Sequence, residues 1–564
     1  IVRAIRDLPE PVVRRPRDLL LGTLLLVAGG GSLVSGLLWD IGAAKILGVP
    51  GLFLGGATLA LWVRPSRRTS PIGFTLAGLG ILWWILLPET HGVALVNERA
   101  DDAFVLLILT GLALVLGAVL SLLFLMPLGL KAFDALLTRH RGHPVLKTAV
   151  SYPMEKRFHT GMTLAMFALV LFTVTLVSVV QAMQDANLEQ IVRDQTGGFD
   201  VIAYRSNYHA IPQFRERLEG NLSASLFQDG YDGVASATIV LANVLREGET
   251  RVHTDFTVFG VDNYLLQANT YGFYERAPSY RDENGSVVPL TDAASVWGAL
   301  RHSTSEGGQP VYYAVIDRSA SGASQFTVGL RRLQVGVGER LHMWDSRGQN
   351  VSVEILGILE QSVDFTRGLF TSEAVVQASL NVTEARMVYF FQVAPGEDPE
   401  AVADALQQTF FVEGLQTINL DASITEAFDV SRQVLTLIQA YLAIGLFSGI
   451  AGLAILMVRA VVERRQQIGA LRAIGFTKRM IARLFLFEIA FISGLGTAIG
   501  VALGARLSYN VYQVYFASLA NFTLPIPHLA AIVAAALAAT FVFTASPALQ
   551  ASRIPPAEAL RYVE

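Results

Sequence analysis

The residue types that could form a binding surface are grouped in residues 463–485, ERRQQIGALRAIGFTKRMIARLF. This stretch places one carboxylate, two amides and six basic side chains between two long apolar runs. Apolar residues recur every three positions, at Ile468, Leu471 and Ile474, and charged residues take the other faces. The pattern predicts a short amphipathic helix that ends at Gly475, before a second helix with Thr477 as its N-cap. Without a partner, such a helix would lie along lipid headgroups as a basic anchor.

Other candidate groups have simpler interpretations. His140 and His143 are three residues apart and have no companion ligands, which favours a solvated basic loop over a metal site. Glu488 lies in an apolar run and could act as a proton-relay carboxylate. A hydrogen bond to neighbouring helices is favoured instead, because no second intramembrane charge offers a relay partner. The chain has no cysteine, which excludes disulfides and thiolate metal sites.

Two glycine-containing patterns bear on nucleotide binding. Gly494, Gly496, Gly500 and Gly504 could be mistaken for a dinucleotide loop, but they lie inside an apolar run. There they predict a face of small residues for close helix packing. The sequence contains no G-x-x-x-x-G-K-[ST] loop, so the chain is not expected to hydrolyse ATP alone.

The elements that position these residues are predicted to be membrane helices. Of the 564 residues, 52% are hydrophobic and 16% charged, which is too apolar for a soluble globular chain of this length. A spanning helix needs roughly 20 apolar residues. The stretches that meet this requirement are residues 19–39, 43–63, 71–87, 103–127, 161–183, 435–458, 484–505 and 529–546. The first two are separated by little more than DIGA, so a single re-entrant hairpin is the alternative for them.

Basic residues give these helices a consistent orientation. Lys and Arg in short loops are retained on the cytoplasmic side. One side collects the basic residues of 1–18, 64–68, 131–157, 463–483 and the C-terminal tail, whereas the short loops opposite hold only Lys45, Arg99 and Arg506. Both ends are therefore predicted to be cytoplasmic. The predicted fold class is an α-helical, multi-pass membrane protein with about eight transmembrane helices.

A polar insert, residues 184–434, separates the fifth and sixth predicted spans and falls outside the cytoplasm. FDVIAY, TDFTVFGVD, PVYYAVID and RMVYFFQV predict strands broken by Gly, Asp and Asn turn signals. DPEAVADALQQTFF, capped by Asp398, and SITEAFDVSRQVLTLIQAYLAIG predict helices. We therefore expect a large mixed α+β extracytoplasmic domain. The second helical segment has no breaker before the membrane, so the sixth span is expected to continue outward as a stalk.

The C-terminal third of the sequence resembles the FtsX-like permease family, the FtsX/MacB-type permeases of ABC transporters. VVERRQQIGALRAIGFTKRMIARLFLFEIAFISGLGTAIGVALG follows the family pattern E-R-x-x-x-I-G-x-L-R-A-x-G, with a glutamate and a glycine-rich span after it. The ending ASRIPPAEALRYVE is similar to that of the family, and KTAVSYPMEKRFHTGMTLAMFALVLFTVTLV resembles the first span of the same module. One span, a large external domain and three closing spans is also the family's plan. The resemblance implies that the protein lies in a bacterial inner or plasma membrane.

The resemblance implies a domain plan for the whole chain. It comprises a cytoplasmic link from a preceding module (1–18), four connecting helices (19–127), a cytoplasmic loop (128–160), the first helix of the FtsX-like module (161–183), the extracytoplasmic domain (184–434), three closing helices (435–546) that include a cytoplasmic coupling helix (459–483), and a cytoplasmic tail (547–564). VRAIR near the start matches AEALR near the end. This suggests a two-module permease, of which this chain holds the C-terminal module.

The resemblance further implies that the loop is a coupling helix that docks on a separate ATPase subunit. The residues it assigns to this role are Glu463, Arg464, Arg465, Ile468, Gly469, Leu471, Arg472, Ala473 and Gly475. An apolar edge would fill a groove on the partner, charges would set the orientation, and glycine would permit close approach. Gln467 stands where many family members have an acidic residue.

Two functions are then expected. The first is a permease subunit that couples ATP hydrolysis by a partner to an extracytoplasmic conformational change and to export or extraction of a lipid, lipoprotein, peptide or drug. The alternative is a non-transporting scaffold that regulates an extracytoplasmic cell-wall hydrolase or a sensor. A secondary transporter is disfavoured because the spans lack paired buried charges or broken helices.

The expected partners are an ABC ATPase, as a dimer, together with membrane lipid and either a first FtsX-like module or a second permease. The chain itself is not expected to be an enzyme. It is expected to bind no cofactor, because ATP would be held by the partner, and no metal or nucleic acid.

Overall fold

The computed structural model describes residues 16–39, 42–63, 69–86, 109–125, 149, 157–306, 308–321, 333, 335–344, 350–360, 368–380, 386–515, 521–553 and 555. The predicted cytoplasmic link, the loop that carries His140 and His143, and the VRAIR and AEALR segments lie outside these residues, apart from a few positions at their edges. The chain divides into two units. The helical unit comprises Ile1–Asp185, Arg432–Ala517 and Asn521–Glu564, and the sheet unit comprises Ala186–Ser431 and Ser518–Ala520.

The helical unit begins with apolar helices, the last of which continues beyond Asp185 into the sheet unit. They are α1 (Pro16–Leu38), α2 (Gly42–Val63), α3 (Thr69–Leu86), α4 (Leu109–Leu125) and α5 (Arg157–Thr196). The helices α1 and α2 are separate and pack with their backbones in contact. A Cβ atom on Gly29 would lie 2.7 Å from the Leu52 nitrogen, and one on Gly48 would lie 2.7 Å from the Leu33 nitrogen. Small residues thus allow the two helices to approach closely.

The sheet unit is built on one large mixed sheet. Its strands are β1 (Val201–His209), β2 (Ala235–Arg246), β3 (Val252–Val261), β4 (Phe273–Arg276), β7 (Ser303–Glu306), β8 (Gln309–Asp317), β9 (Arg340–Trp344), β10 (Asn350–Leu359), β11 (Leu369–Ser372), β12 (Arg386–Phe391) and β13 (Leu415–Asn419), with β5 (Ser279–Arg281) and β6 (Val287–Pro289) as a separate hairpin. Among the described residues the order along the sheet is β13-β1-β12-β2-β3-β11-β8-β10-β4. Most neighbours are antiparallel, but β8 pairs with β10, and β3 with β11, in parallel.

Alternate residues of the strands enter different cores, as the two-residue period of a strand requires. Ile202 of β1 joins one apolar cluster with Trp297 and Phe390, whereas Val201 and Ala203 join another on the opposite face. Short helices cover these faces: α6 (Phe214–Asn221), α7 (Asn263–Ala268), α8 (Ala293–Ala299), α9 (Arg318–Ser321), α10 (Glu373–Ser379) and α11 (Pro399–Thr409). Asp398 caps α11 as predicted, because its carboxylate accepts a hydrogen bond from the Glu400 nitrogen at 3.1 Å.

The closing helices complete the helical unit, and the first of them begins in the sheet unit and enters the helical unit at Arg432. They are α12 (Leu420–Glu463), α13 (Arg465–Ala473), α14 (Lys478–Tyr515) and α15 (Ile526–Ser552). The continuous α12 extends well before the apolar run, as the absence of a breaker predicts. Among the described residues, six helices are long and apolar enough to cross a membrane, and two shorter apolar helices lie at Ile72–Leu86 and Leu109–Leu125. The predicted fold class, a multi-pass membrane protein with a mixed α+β domain, is confirmed.

Candidate functional site

The stretch 463–485 folds into the end of α12, the short helix α13 and the start of α14. Arg464, between α12 and α13, has φ −98° and ψ 12°, which interrupts the helix. Beyond α13 the chain reverses at Gly475, whose φ of +113° is a backbone conformation that favours glycine. The turn is closed by a hydrogen bond from the Phe476 nitrogen to the Leu471 carbonyl at 3.0 Å. Thr477 Oγ1 accepts from the Met480 nitrogen at 3.3 Å, so it caps α14 as predicted.

The apolar edge of α13 packs against the protein's own helices. Ile468 is 2% exposed and joins a core with Ile481, Phe485 and Ile489 of α14. Gly469 is also buried, and Leu471 is half-buried against the same core. The sequence analysis expected this apolar edge to fill a groove on a partner. For Ile468 that expectation is wrong, because the side chain is buried within its own chain. Its side chain positions α13 and is not offered to another chain.

The outward side of α13 consists of Gln466, Gln467, Ala470, Ala473 and Ile474, all of them exposed, and we call this set the outer face. Ile474 is 80% exposed and immediately precedes the turn at Gly475. Arg465 and Arg472 are half-buried beside it. The outer face is thus a short surface of amides and small residues with one protruding apolar side chain.

Arg464 turns inward and pairs with Glu488 of α14. Its Nη1 donates to Glu488 Oε2 at 2.9 Å and its Nη2 donates to Oε1 at 2.8 Å. The two side chains are only 7% and 11% exposed. The favoured interpretation of Glu488, a hydrogen bond to a neighbouring helical segment, is confirmed. Two details are corrected: Glu488 does have a charged partner, and the Arg464 side chain lies in the interior and not on the surface.

Exposed charges precede and follow α13 along the chain. Arg459 Nε lies 2.9 Å from Glu463 Oε1 one helical turn away, and both side chains face solvent more than the Arg464–Glu488 pair. Lys478, Arg479 and Arg483 at the start of α14 are exposed as well. Exposed pairs of this kind contribute roughly 0–1 kcal/mol to stability, so their effect is mainly on the sign of the surface.

Three of the four glycines singled out in α14 contact α5. Added Cβ atoms on Gly496, Gly500 and Gly504 would lie 2.8, 2.6 and 2.7 Å from atoms of Phe167, Ala168 and Thr175. Gly494 lies off this contact, because a Cβ atom there would meet nothing within 4 Å. The predicted packing face therefore does not extend to Gly494, which points in another direction around the helix.

A row of side-chain hydrogen bonds between α5 and α12 was not predicted. Arg432 Nε donates to Asp185 Oδ1 at 3.0 Å, and Gln439 Nε2 donates to Gln181 Oε1 at 3.0 Å. Ser178, which is 3% exposed, lies 3.4 Å from the same Gln439 amide. The sequence does carry a signal for these contacts: the spacing of Ser178, Gln181 and Asp185 places three polar residues along one side of a largely apolar helix.

The sheet unit contains a polar cleft of about 690 Å³ beside the β5–β6 hairpin. Its charged walls are largely paired, as in the contacts of Arg246 with Glu339 at 2.6 Å and of Arg340 with Glu354 at 3.6 Å. Such a lining does not suit a hydrophobic substrate. Among the described residues no group of three His, Asp or Glu side chains could hold a metal ion.

Two carboxylates of the sheet unit interact near the start of α10. Asp262 accepts hydrogen bonds from the Ser236 hydroxyl at 2.9 Å and from the Leu265 nitrogen at 2.8 Å. Glu373 accepts from Gln377 Nε2 at 2.8 Å. Burial, and then the charge of Asp262, raise the pKa of Glu373, and burial also raises the pKa of Asp262.

The part of the chain that forms most of α12 and all of α13, α14 and α15 matches a known family. The sequence model of the FtsX-like permease C-terminal family matches residues 440–556. This region is therefore an FtsX-like permease domain in a multi-pass membrane protein, as the sequence pattern indicated.

Curated relatives match over longer or shorter parts of the chain. The lipoprotein-releasing system transmembrane protein LolC of Neisseria meningitidis serogroup B is 29% identical over 192 residues, which are 30% of this chain and 44% of LolC. The macrolide export ATP-binding/permease protein MacB of Bdellovibrio bacteriovorus is 33% identical over 25% of this chain and 21% of MacB. The pyoverdine export ATP-binding/permease protein PvdT of Pseudomonas savastanoi pv. phaseolicola is 24% identical over 58% of this chain and 55% of PvdT. The chain thus spans about a fifth to about half of the length of these relatives.

Solved structures also show a likeness. The periplasmic region of MacB from Actinobacillus actinomycetemcomitans is 10% identical and is covered over 94% of its length, corresponding to 41% of this chain, with a TM-score of 0.25. The extracellular domain of the ABC-type transporter YknZ from Gram-positive bacteria is covered over 99% of its length, with a TM-score of 0.23.

Proposed function

We propose that this chain is the permease subunit of an ABC transporter and that a separate ATPase subunit docks on the outer face of α13. The observation that carries the proposal is the two-sided construction of α13. Ile468 anchors one side in the core, while Ile474, at 80% exposure, protrudes from the other. An exposed apolar residue on a rigid polar surface is a suitable anchor for a pocket on a partner protein.

The charges around the outer face fit the same role. Lys478, Arg479 and Arg483 give this surface a positive sign and would steer an acidic partner surface towards it. In this proposal Glu463, Arg465, Arg472, Ala473 and Gly475 retain the docking role that the family resemblance gave them. Arg464, Ile468, Gly469 and Leu471 instead support the docking surface from within.

The substrate class follows from the relatives and not from a pocket. The relatives carry the names of lipoprotein-releasing, macrolide export and pyoverdine export proteins. We propose export or extraction of a hydrophobic or amphiphilic substrate. Since the cleft of the sheet unit is polar, we assign the contact with apolar parts of the substrate to the membrane helices.

Co-purification with an ABC ATPase from the same source tests the docking role. Ile474→Asp would place a carboxylate in the apolar pocket of the partner, and we expect at least a tenfold loss of bound ATPase, equivalent to about 1.4 kcal/mol. Ile526→Asp is the matched control, because Ile526 is 64% exposed at the start of α15. Equal ATPase recovery with both folded variants would refute docking on the outer face.

A further inference from the structure

We propose that the buried Arg464–Glu488 pair is a positioning element that makes α13 and α14 move as one body. The inference rests on the proposed function, because it assigns a route by which force applied at the outer face reaches a membrane helix. Arg464 and Glu488 do not touch the partner in this proposal. They hold the surface that does.

The geometry of the pair is that of a rigid link. Both nitrogens of the guanidinium fork engage both carboxylate oxygens, at 2.8 and 2.9 Å. A bidentate contact of this kind fixes orientation as well as distance. The Phe485 ring, with its centroid 5.5 Å from the guanidinium carbon, packs on the same group one helical turn before Glu488. The side chain of Arg464 is therefore restrained on two sides by α14.

A second attachment lies one turn further along α13. The Arg464 carbonyl accepts the hydrogen bond of the Ile468 nitrogen at 2.9 Å, which connects the ion pair directly to the helix. Ile468 in turn packs with Ile481, Phe485 and Ile489 of α14. Two fixed points on one short helix define its orientation relative to α14, whereas a single point would leave it free to pivot.

The covalent connection between the two helices cannot provide this rigidity alone. It passes through Ile474 and Gly475, both exposed, and Gly475 has the left-handed φ of +113°. Adding a Cβ atom to Gly475 would meet no atom within 4 Å, so Gly475 itself is not packed, whereas Phe476 after it packs on the same core as Ile468. Force applied to α13 is therefore carried by the buried ion pair and these core contacts in preference to the backbone at Ile474 and Gly475.

The nearby exposed pair shows why burial matters. Arg459 and Glu463 are 73% and 38% exposed, and water and salt screen their attraction. Removing one member of a buried pair instead leaves an uncompensated charge in the interior, so the remaining side chain must move towards water. Lysine cannot reproduce the planar fork of Arg464, because it offers a single ammonium group.

The link can be measured by electron-electron distances between spin labels, without an ATPase. The chain has no cysteine, so cysteines introduced at the exposed Ala473 and Ala498 are the sole labelling sites. Twenty residues of α14 separate Ala498 from Lys478, roughly 30 Å along the helix axis. We expect a narrow distance distribution in the parent chain and at least a twofold broader one in Glu488→Gln. Arg464→Lys should lie between them, and the exchanged pair Arg464→Glu/Glu488→Arg should recover part of the narrowing.

Arg483→Gln is the matched control, because Arg483 is an exposed basic residue of the same helix. Parent-like widths in both Glu488→Gln and Arg464→Lys, with Arg483→Gln also unchanged, would overturn the proposal.

A second measurement separates this inference from the docking role. In unlabelled protein Glu488→Gln should retain bound ATPase within about twofold, since the outer face is intact, but lose the effect of the permease on ATP hydrolysis. Loss of ATPase binding in Ile474→Asp tests the docking role alone. If Ile474→Asp still binds the ATPase, docking on the outer face is refuted, but the spin-label distances still decide whether the ion pair links α13 to α14.

Discussion

Replacing Gly500 by alanine is expected to destabilise the helical unit through the contact between α5 and α14. The new Cβ atom would lie 2.6 Å from the Ala168 carbonyl oxygen, 2.9 Å from Leu171 Cβ and 2.9 Å from the Phe172 nitrogen. Two of these three atoms belong to the backbone of α5, so no side-chain rotation relieves the clash. The two helices must separate, and contacts along the whole α5–α14 face weaken with them.

The magnitude follows from two opposing terms. Overpacking a close contact costs about 1–3 kcal/mol, and backbone atoms on two sides place Gly500 at the upper end of that range. Alanine in place of glycine in a helix recovers up to about 1 kcal/mol. The net expectation for Gly500→Ala is a loss of about 1–2 kcal/mol. Gly494→Ala meets no atom within 4 Å and should gain up to about 1 kcal/mol, so the two variants should differ in sign.

The assay is unfolding of the whole 564-residue chain in mixed micelles with increasing sodium dodecyl sulfate. Gly500→Ala should unfold at a lower detergent mole fraction than the parent chain, and Gly494→Ala at the same or a higher one. Gly500→Ala and Gly494→Ala behaving alike would show that the α5–α14 contact is not the close packing described here.

Two further predictions concern the sheet unit. The pKa of Glu373 is raised from its ordinary value of 4.5, so the folded unit keeps this proton to a higher pH than the unfolded chain. Its contribution to stability is therefore present below pH 4.5 and is lost as the pH rises through the folded pKa. Glu373→Gln removes the ionisable group, so stability should no longer fall as the pH rises through the folded pKa. Near pH 7 this variant should be more stable than the parent chain by no more than about 0.5 kcal/mol, because the Glu373 side chain is partly exposed. Hydrogen exchange of the full chain at pH 4.5 and pH 7 checks this, and an equal effect at both values would contradict it. Proteolysis of oriented membranes from the outer side should release a fragment within residues 184–434, and protection of that region would contradict the predicted topology.

The sequence predicted the elements that depend on local pattern. Long apolar runs indicated the membrane helices, the spacing of Ile468, Leu471 and Ile474 indicated α13, and Asp398 indicated the start of α11. Each of these signals lies within a few consecutive turns of the chain, where periodicity and capping act.

The sequence could not show which partner each side chain meets. Periodicity gives α13 an apolar side, but the same pattern suits a helix that packs on its own protein and one that fills a partner's groove. Arg464 and Glu488 are 24 positions apart, and only the fold of the α12–α13 turn brings them together. Leu471→Asp, an obvious docking test from sequence, would instead disturb the core, because Leu471 packs inward.

The order of the sheet was likewise beyond local patterns. β1 lies between β12 and β13, which come from the far end of the domain, and their pairing depends on tertiary packing. The strand β2 was not predicted, although DGYDG before it and EGE after it are turn signals, and it pairs with three other strands.

The most direct test of the central claim is photo-crosslinking from position 474. A benzoylphenylalanine introduced at Ile474 in membranes that contain the ATPase should form an adduct in which mass spectrometry identifies peptides of an ABC ATPase. The same group at Ile526, which is similarly exposed, should give no such adduct. An adduct with the ATPase at both positions, or only lipid adducts at position 474, would contradict docking on the outer face of α13.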